Sequence, residues 1–168
     1  MLRYRFLSVV ALVSLFLVNV APAQTTGVGI GLIAGEPTGI SAKFWTSNQN
    51  ALDFGMGWSN SGSWMRFGNG YAYYYDQSRF DFHADYLWHN FHAIRSKENF
   101  PLYYGLGFTL ESGNTIPTAF GLRGVGGIEW IPRSVPLDIF FELAPVFYAA
   151  PSSELTFEAG IGARFFFR

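Results

Sequence analysis

The chain has 168 residues, enough for one domain, and its 11 basic and 12 acidic residues give a net charge of −1. That excludes the basic footprint of a nucleic-acid-binding domain, and the absence of cysteine excludes a disulfide scaffold, a cysteine-ligated metal and a catalytic thiol. Charged residues make up only 14%, against roughly 25% in soluble domains, while aromatics reach 19%.

In chain order, Met1–Ala23 reads as a secretory signal peptide. Arg3 and Arg5 form its positive start, Phe6–Val20 its apolar run, and Ala21-Pro22-Ala23 supplies the small residues of a cleavage site. The run is about 15 residues, short of the about 20 that a spanning helix needs. Cleavage after Ala23 would leave residues 24–168 as a single barrel domain. Losing Arg3 and Arg5 brings its net charge to −3.

After Gln24 the apolar pattern has period two, which predicts strands. Eight are expected: Gly27–Ala34, Gly39–Trp45, Ala51–Trp58, Arg79–Phe91, Leu102–Glu111, Phe120–Ile131, Leu137–Tyr148 and Leu155–Phe167. Turn residues separate them, among them Gly35-Glu36-Pro37-Thr38, Ser47-Asn48-Gln49-Asn50, Ser112-Gly113-Asn114 and Pro151-Ser152-Ser153. The fold class is all-β: an eight-stranded antiparallel up-and-down barrel.

Each strand has one face without charge and one with glycine and charge. Leu155, Phe157, Ala159, Ile161, Ala163, Phe165 and Phe167 share a face opposite Glu158 and Arg164. Lys43, Asp53, Arg79, Asp81, His83, Asp85, Glu111, Arg123, Glu129, Asp138, Glu142, Glu158 and Arg164 all fall on the charged faces. A soluble barrel turns the apolar face inward, and a membrane barrel turns it outward to lipid. A soluble exterior is rich in Lys and Glu, yet Lys43 and Lys97 are the only lysines here. The later strands also reach the about 10 residues that cover an apolar band of about 25 Å. The expectation is therefore a transmembrane barrel with a charged lumen.

Trp58, Trp88 and Trp130 fall near strand ends on the apolar face, as membrane-interface aromatics would. Trp45 falls on the charged face, which a bulge or a shifted register would correct. Pro145 marks the expected exit of the seventh strand from the bilayer. The long connection Ser59–Ser78, with Trp64, Tyr71, Tyr73, Tyr74 and Tyr75 among Gly and Ser, has the composition of a recognition loop. Gly68-Asn69-Gly70 reads as its hairpin tip.

In a barrel of eight strands the interior is only wide enough for side chains, so the charged face should pair into a network that plugs it. Asp81, His83, Asp85 and His89 share one face, a set that metal or acid–base chemistry would use. Along a strand such neighbours stand roughly 7 Å apart, so hydrogen bonding within the lumen is the expected role. No metal, cofactor or catalytic residue is assigned. The alternatives are a narrow cation-preferring pore and a soluble secreted ligand-binding barrel.

The terminal Ala159-Gly160-Ile161-Gly162-Ala163-Arg164-Phe165-Phe166-Phe167 resembles the last strand of bacterial outer-membrane barrels, although Arg168 follows it. Gly127–Pro132, Pro136–Pro145, Gly35–Lys43 and Ala84–His89 resemble a family of small outer-membrane barrels first described in spirochaetes. The resemblance implies an OmpA- or OmpX-like architecture, an outer-membrane location and no enzymatic activity. It further implies lipid and the barrel assembly machinery as partners, the latter through the C-terminal strand. The expected state is a monomer binding no nucleic acid, with a surface ligand of unidentified chemistry.

Overall fold

The computed structural model describes residues 25–59, 63–66, 72–75, 79–113, 117–151 and 153–167. The expected signal segment Met1–Ala23 lies outside them, as do Tyr71 and Gly68–Gly70. Ten strands are present: β1 (Val28–Gly35), β2 (Thr38–Trp45), β3 (Asn50–Ser59), β4 (Ser63–Arg66), β5 (Ala72–Tyr75), β6 (Arg79–Asn90), β7 (Leu102–Ser112), β8 (Ala119–Trp130), β9 (Leu137–Ala150) and β10 (Glu154–Phe167). Eight of them close into an antiparallel barrel in which each strand pairs with its neighbours in sequence, β3 pairs with β6, and β1 closes on β10. The closing seam runs from Val28↔Phe167 to Gly35↔Gly160. The expected barrel strands agree with these to within one or two residues.

Inside the connection between β3 and β6, expected to be a long loop with a hairpin tip at Gly68-Asn69-Gly70, β4 and β5 form a separate two-stranded sheet with Trp64 opposite Tyr74 and Met65 opposite Tyr73. It stands at the end of the barrel away from the first and last strand termini. That end is called distal, and the end holding Val28 and Phe167 is called proximal.

Alternation sets the two surfaces. Along β9, Asp138, Phe140, Glu142, Ala144, Val146 and Tyr148 are buried, while Phe141, Leu143, Pro145 and Phe147 between them are exposed. The outer wall is apolar: Leu32, Leu106 and Phe157 are 69%, 67% and 74% exposed. Lys43, Asp53, Asp85, Arg123, Glu142 and Arg164 are among the charged side chains buried inside. Period two makes this strict, because a one-residue slip would exchange the two surfaces of a strand.

Trp45 needs neither a bulge nor a shifted register. It pairs regularly with Ala51 and points into the lumen, where it is buried with Ala51, Ile131 and Phe166 and touched by Phe91. These side chains close the proximal end. The ring of Phe166 lies over Gly29, where an added Cβ would stand 2.7 Å from it, so the cap requires glycine there. Trp45 also faces the His89 ring at 4.5 Å and lies 4.5 Å from Lys43 Nζ. Trp45→Ala should therefore cost about 3–5 kcal/mol, read from urea unfolding of the folded protein. Trp45→Phe should cost under about 1.5 kcal/mol, because the indole Nε1 has no hydrogen-bond partner among the described residues.

Pro145 lies inside its strand, as the expected span Leu137–Tyr148 has it. β9 continues to Ala150, and Pro145 faces outward opposite Phe157 of β10. On its other side the pairing with β8 is interrupted between Arg123↔Val146 and Gly126↔Leu143, as expected of a residue without an N–H. The barrel tolerates the proline by forgoing ladder bonds on one side only.

Candidate functional site

The buried titratable side chains of the barrel strands converge in the lumen, and the strands set its layout. Register places Lys43 opposite Asp53, Asp53 opposite Asp85, Asp81 opposite Glu111, and Asp138 opposite Arg164. Neighbouring carboxylates on adjacent strands repel, so each must find a cation elsewhere. The closed barrel supplies these cations from across the lumen.

In the proximal half, Lys43 pairs with Glu129 of β8 and lies 3.9 Å from Asp138. Its Nζ donates to His89 Nε2 at 2.9 Å. An accepting Nε2 leaves the proton on Nδ1, which donates to the Gln49 carbonyl at 3.1 Å. Arg164 reaches Asp53 at 2.6 Å, Asp138 at 3.4 Å and Glu129 at 3.8 Å. Its Nε donates to Ser41 Oγ at 2.8 Å, and its guanidinium lies 3.8 Å from the Phe140 ring centroid. All three nitrogens of this guanidinium thus face a lumenal oxygen, and one face is covered by an aromatic ring.

In the distal half, Arg123 is the hub. It pairs with Asp85, with Glu142 at 2.7 Å and with Glu158 at 3.1 Å, each through a different nitrogen. The Tyr103 hydroxyl donates to Glu142 at 3.2 Å, and the Tyr148 hydroxyl contacts both Glu111 and Glu158. Arg79 reaches Glu111 at 2.6 Å from the distal mouth, and Thr109 donates to Asp81 at 3.1 Å. One oxygen from each of Asp81, Glu111 and Glu158 lies within 4.8 Å of the other two. Tyr148, Thr109, Arg79 and Arg123 already donate to this cluster.

Of the residues assigned to the lumen from sequence, Lys43, Asp53, Asp81, His83, Asp85, Glu111, Arg123, Glu129, Asp138, Glu142, Glu158 and Arg164 are buried inside. Arg79 is partly exposed at the mouth. The set Asp81, His83, Asp85 and His89 does not converge along β6. Asp85 belongs to Arg123, His89 to Lys43, and Asp81 to the cluster with Glu111 and Glu158. His83 is fully buried, and neither ring nitrogen has a hydrogen-bond partner among the described residues. Its ring lies against Gly55, where a Cβ would come within 2.3 Å.

Tyr103, Tyr148, Thr109 and Ser41 complete the network, yet sequence reasoning did not name them among the site residues. The available signal was partial: Thr109 and Ser41 each share a face with a charged residue two positions away, Glu111 and Lys43, whereas Tyr103 and Tyr148 have no charged residue that near on their faces. Outside the barrel, Trp58 packs edge-on against Phe80 at the distal end. Trp88 stacks on Tyr104, and Trp130 on Phe100, at the proximal end. For Trp64, Tyr73, Tyr74 and Tyr75 the description reaches their backbone pairing in β4 and β5. Comparison of the chain with protein-family models, curated proteins and solved structures returns no match.

Proposed function

We propose that the chain is an exported bacterial outer-membrane barrel that spans the bilayer, with a plugged lumen and a structural or surface-interaction role. The observation that carries this reading is the inverted distribution of polarity. Charged residues on seven barrel strands, β2, β3 and β6–β10, meet in the interior, while Leu32, Leu106, Leu122, Leu155 and Phe157 stand more than half exposed on the wall. In water such a wall is a large apolar patch that monomeric proteins rarely expose. In hydrocarbon it is the expected surface, and closure satisfies every barrel strand edge. The aromatic pairs at both ends fit the two interfaces. The last strand's resemblance to outer-membrane barrels supports the same placement.

The lumen favours a plug over a channel. Arg123 and Arg164 each bridge three carboxylates across the interior, and Trp45 with Phe166 caps the proximal end. Planar bilayers containing the protein should show no sustained conductance steps. Steady cation-selective steps would establish the pore instead. Cell fractionation with gels run before and after boiling tests the location. The expected result is a heat-shifted band in the outer-membrane fraction, and recovery as a soluble periplasmic protein would overturn the reading.

A surface role would fall to the β4–β5 hairpin, where Tyr73, Tyr74 and Tyr75 lie together on one short strand. Replacing all three with Ser should abolish adhesion of bacteria displaying the protein to host or bacterial surfaces, with the heat-shifted band unchanged. Unaltered adhesion would remove the hairpin from that role.

A further inference from the structure

Two proximal connections lie side by side on one flank of the barrel. The segment between β6 and β7 and the segment between β8 and β9 are joined by a bridge from Asn99 to Ile131. The Ile131 N–H donates to the Asn99 carbonyl at 2.9 Å, and the Arg133 N–H donates to Glu98 Oε2 at 3.2 Å. This pairing brings Arg95 and Lys97 from one segment together with Arg133 from the other, all three exposed. The one carboxylate among them, Glu98, is half-buried and accepts the backbone bond just described. Two exposed apolar side chains, Ile94 and Val135, stand in the same segments. Beside them on the outer wall, Phe100 and Trp130 stack at 6.5 Å with their planes 14° apart. At the distal end, Glu36 lies between β1 and β2, Glu154 opens β10, and Arg66 ends β4.

We propose that this proximal rim binds the phosphate headgroups of anionic phospholipid. Arg95, Lys97 and Arg133 contact the phosphates while Ile94 and Val135 enter the acyl boundary. The inference rests on the membrane-spanning reading and adds which end of the barrel meets the anionic leaflet. Guanidinium groups pair with phosphate oxygens through two parallel hydrogen bonds, and lysine adds a point charge. Basic side chains next to a bilayer are drawn to anionic headgroups over about one Debye length. An acidic peptide or a nucleic acid matches the charge alone. The apolar side chains beside an aromatic pair on the wall match a bilayer boundary, where polar heads and acyl chains meet.

The test uses the full chain folded into phosphatidylcholine vesicles doped with phosphatidylglycerol. Spin-labelled phosphatidylglycerol and phosphatidylcholine then report which lipid the barrel immobilises. Phosphatidylglycerol should be preferred by about fivefold, the ratio that one basic side chain at a charged surface supplies. The preference should fall toward parity in about 1 M salt, where the screening length is about 3 Å. It should also fall toward parity in the Arg95→Gln/Lys97→Gln/Arg133→Gln variant. Insertion with equal immobilisation of the two lipids overturns the rim, as does a triple variant that keeps the preference. A chain that inserts into no vesicle and immobilises neither lipid overturns the spanning reading as well.

Discussion

Arg123→Met should cost about 5 kcal/mol or abolish folding, the largest effect expected of any single lumenal substitution. Removing one partner of a buried ion pair costs about 3–5 kcal/mol, because the other charge stays buried without compensation. Arg123 leaves three carboxylates in that state: Asp85, Glu142 and Glu158. Since a whole domain is stable by only about 5–15 kcal/mol, the variant sits near the threshold of folding. Arg123→Lys should recover part of the loss, since one ammonium cannot reach three partners in the directions that a guanidinium fork does. Combining Arg123→Met with Asp85→Asn, Glu142→Gln and Glu158→Gln should restore more of it, because neutral amides do not need the cation. Arg79→Met at the mouth should cost less than Arg123→Met, because Arg79 is partly exposed and reaches one carboxylate, Glu111, which keeps its Tyr148 partner. Urea unfolding of the protein in vesicles reads all four. An Arg123→Met variant within about 1 kcal/mol of the parent would show that the network is not what holds the lumen shut.

Leu106→Arg should destabilise the barrel in a bilayer by about 2–4 kcal/mol, the cost of a basic side chain on the lipid face near the midplane. Leu106 lies midway along β7 and faces outward. Leu143→Arg, at a similar height on β9, should behave alike. Leu155→Arg, next to the start of β10 at the distal end, should cost only about 0–1 kcal/mol, because a side chain near the interface reaches water. A barrel that works in water predicts a different pattern. Exposed substitutions would then fall within about 0.5 kcal/mol wherever they lie along the strand. The dependence on depth separates the two more sharply than any single value.

The barrel was legible because period two leaves little freedom. Eight stretches of alternating residues, separated by turn chemistry, specify strands, and the parity of Lys43, Asp53 or Glu142 specifies which residues share a surface. Turn positions that need Gly or Pro then place the boundaries closely. Partnership inside the lumen was not legible. Lys43 lies opposite Asp53 in the ladder but pairs with Glu129 four strands away, on the opposite wall, and Asp53 is taken by Arg164. Such pairs depend on how a closed barrel brings opposite walls together, and no local pattern encodes that. Trp45 misled for a related reason. A tryptophan at a strand end suggests an interface residue, but its parity was correct and its role is to cap the lumen. Pro145 is accommodated inside the expected strand because the neighbouring ladder with β8 gives way and the strand goes on. The β4–β5 hairpin was half legible: Gly68-Asn69-Gly70 marked a tip, but the Gly, Ser and Tyr around it gave no alternation from which to bound its strands.

The central claim is that the apolar wall faces lipid. The chain contains no cysteine, so single cysteines at Leu106, Leu122 and Leu143 can each carry one nitroxide. Their collision rates with oxygen, which concentrates in hydrocarbon, and with a charged nickel chelate, which stays in water, report the surroundings of each site in the vesicle-folded protein. The account predicts high oxygen and low chelate accessibility at all three positions. High chelate accessibility at all three, in protein that is folded, would place the wall in water and contradict it.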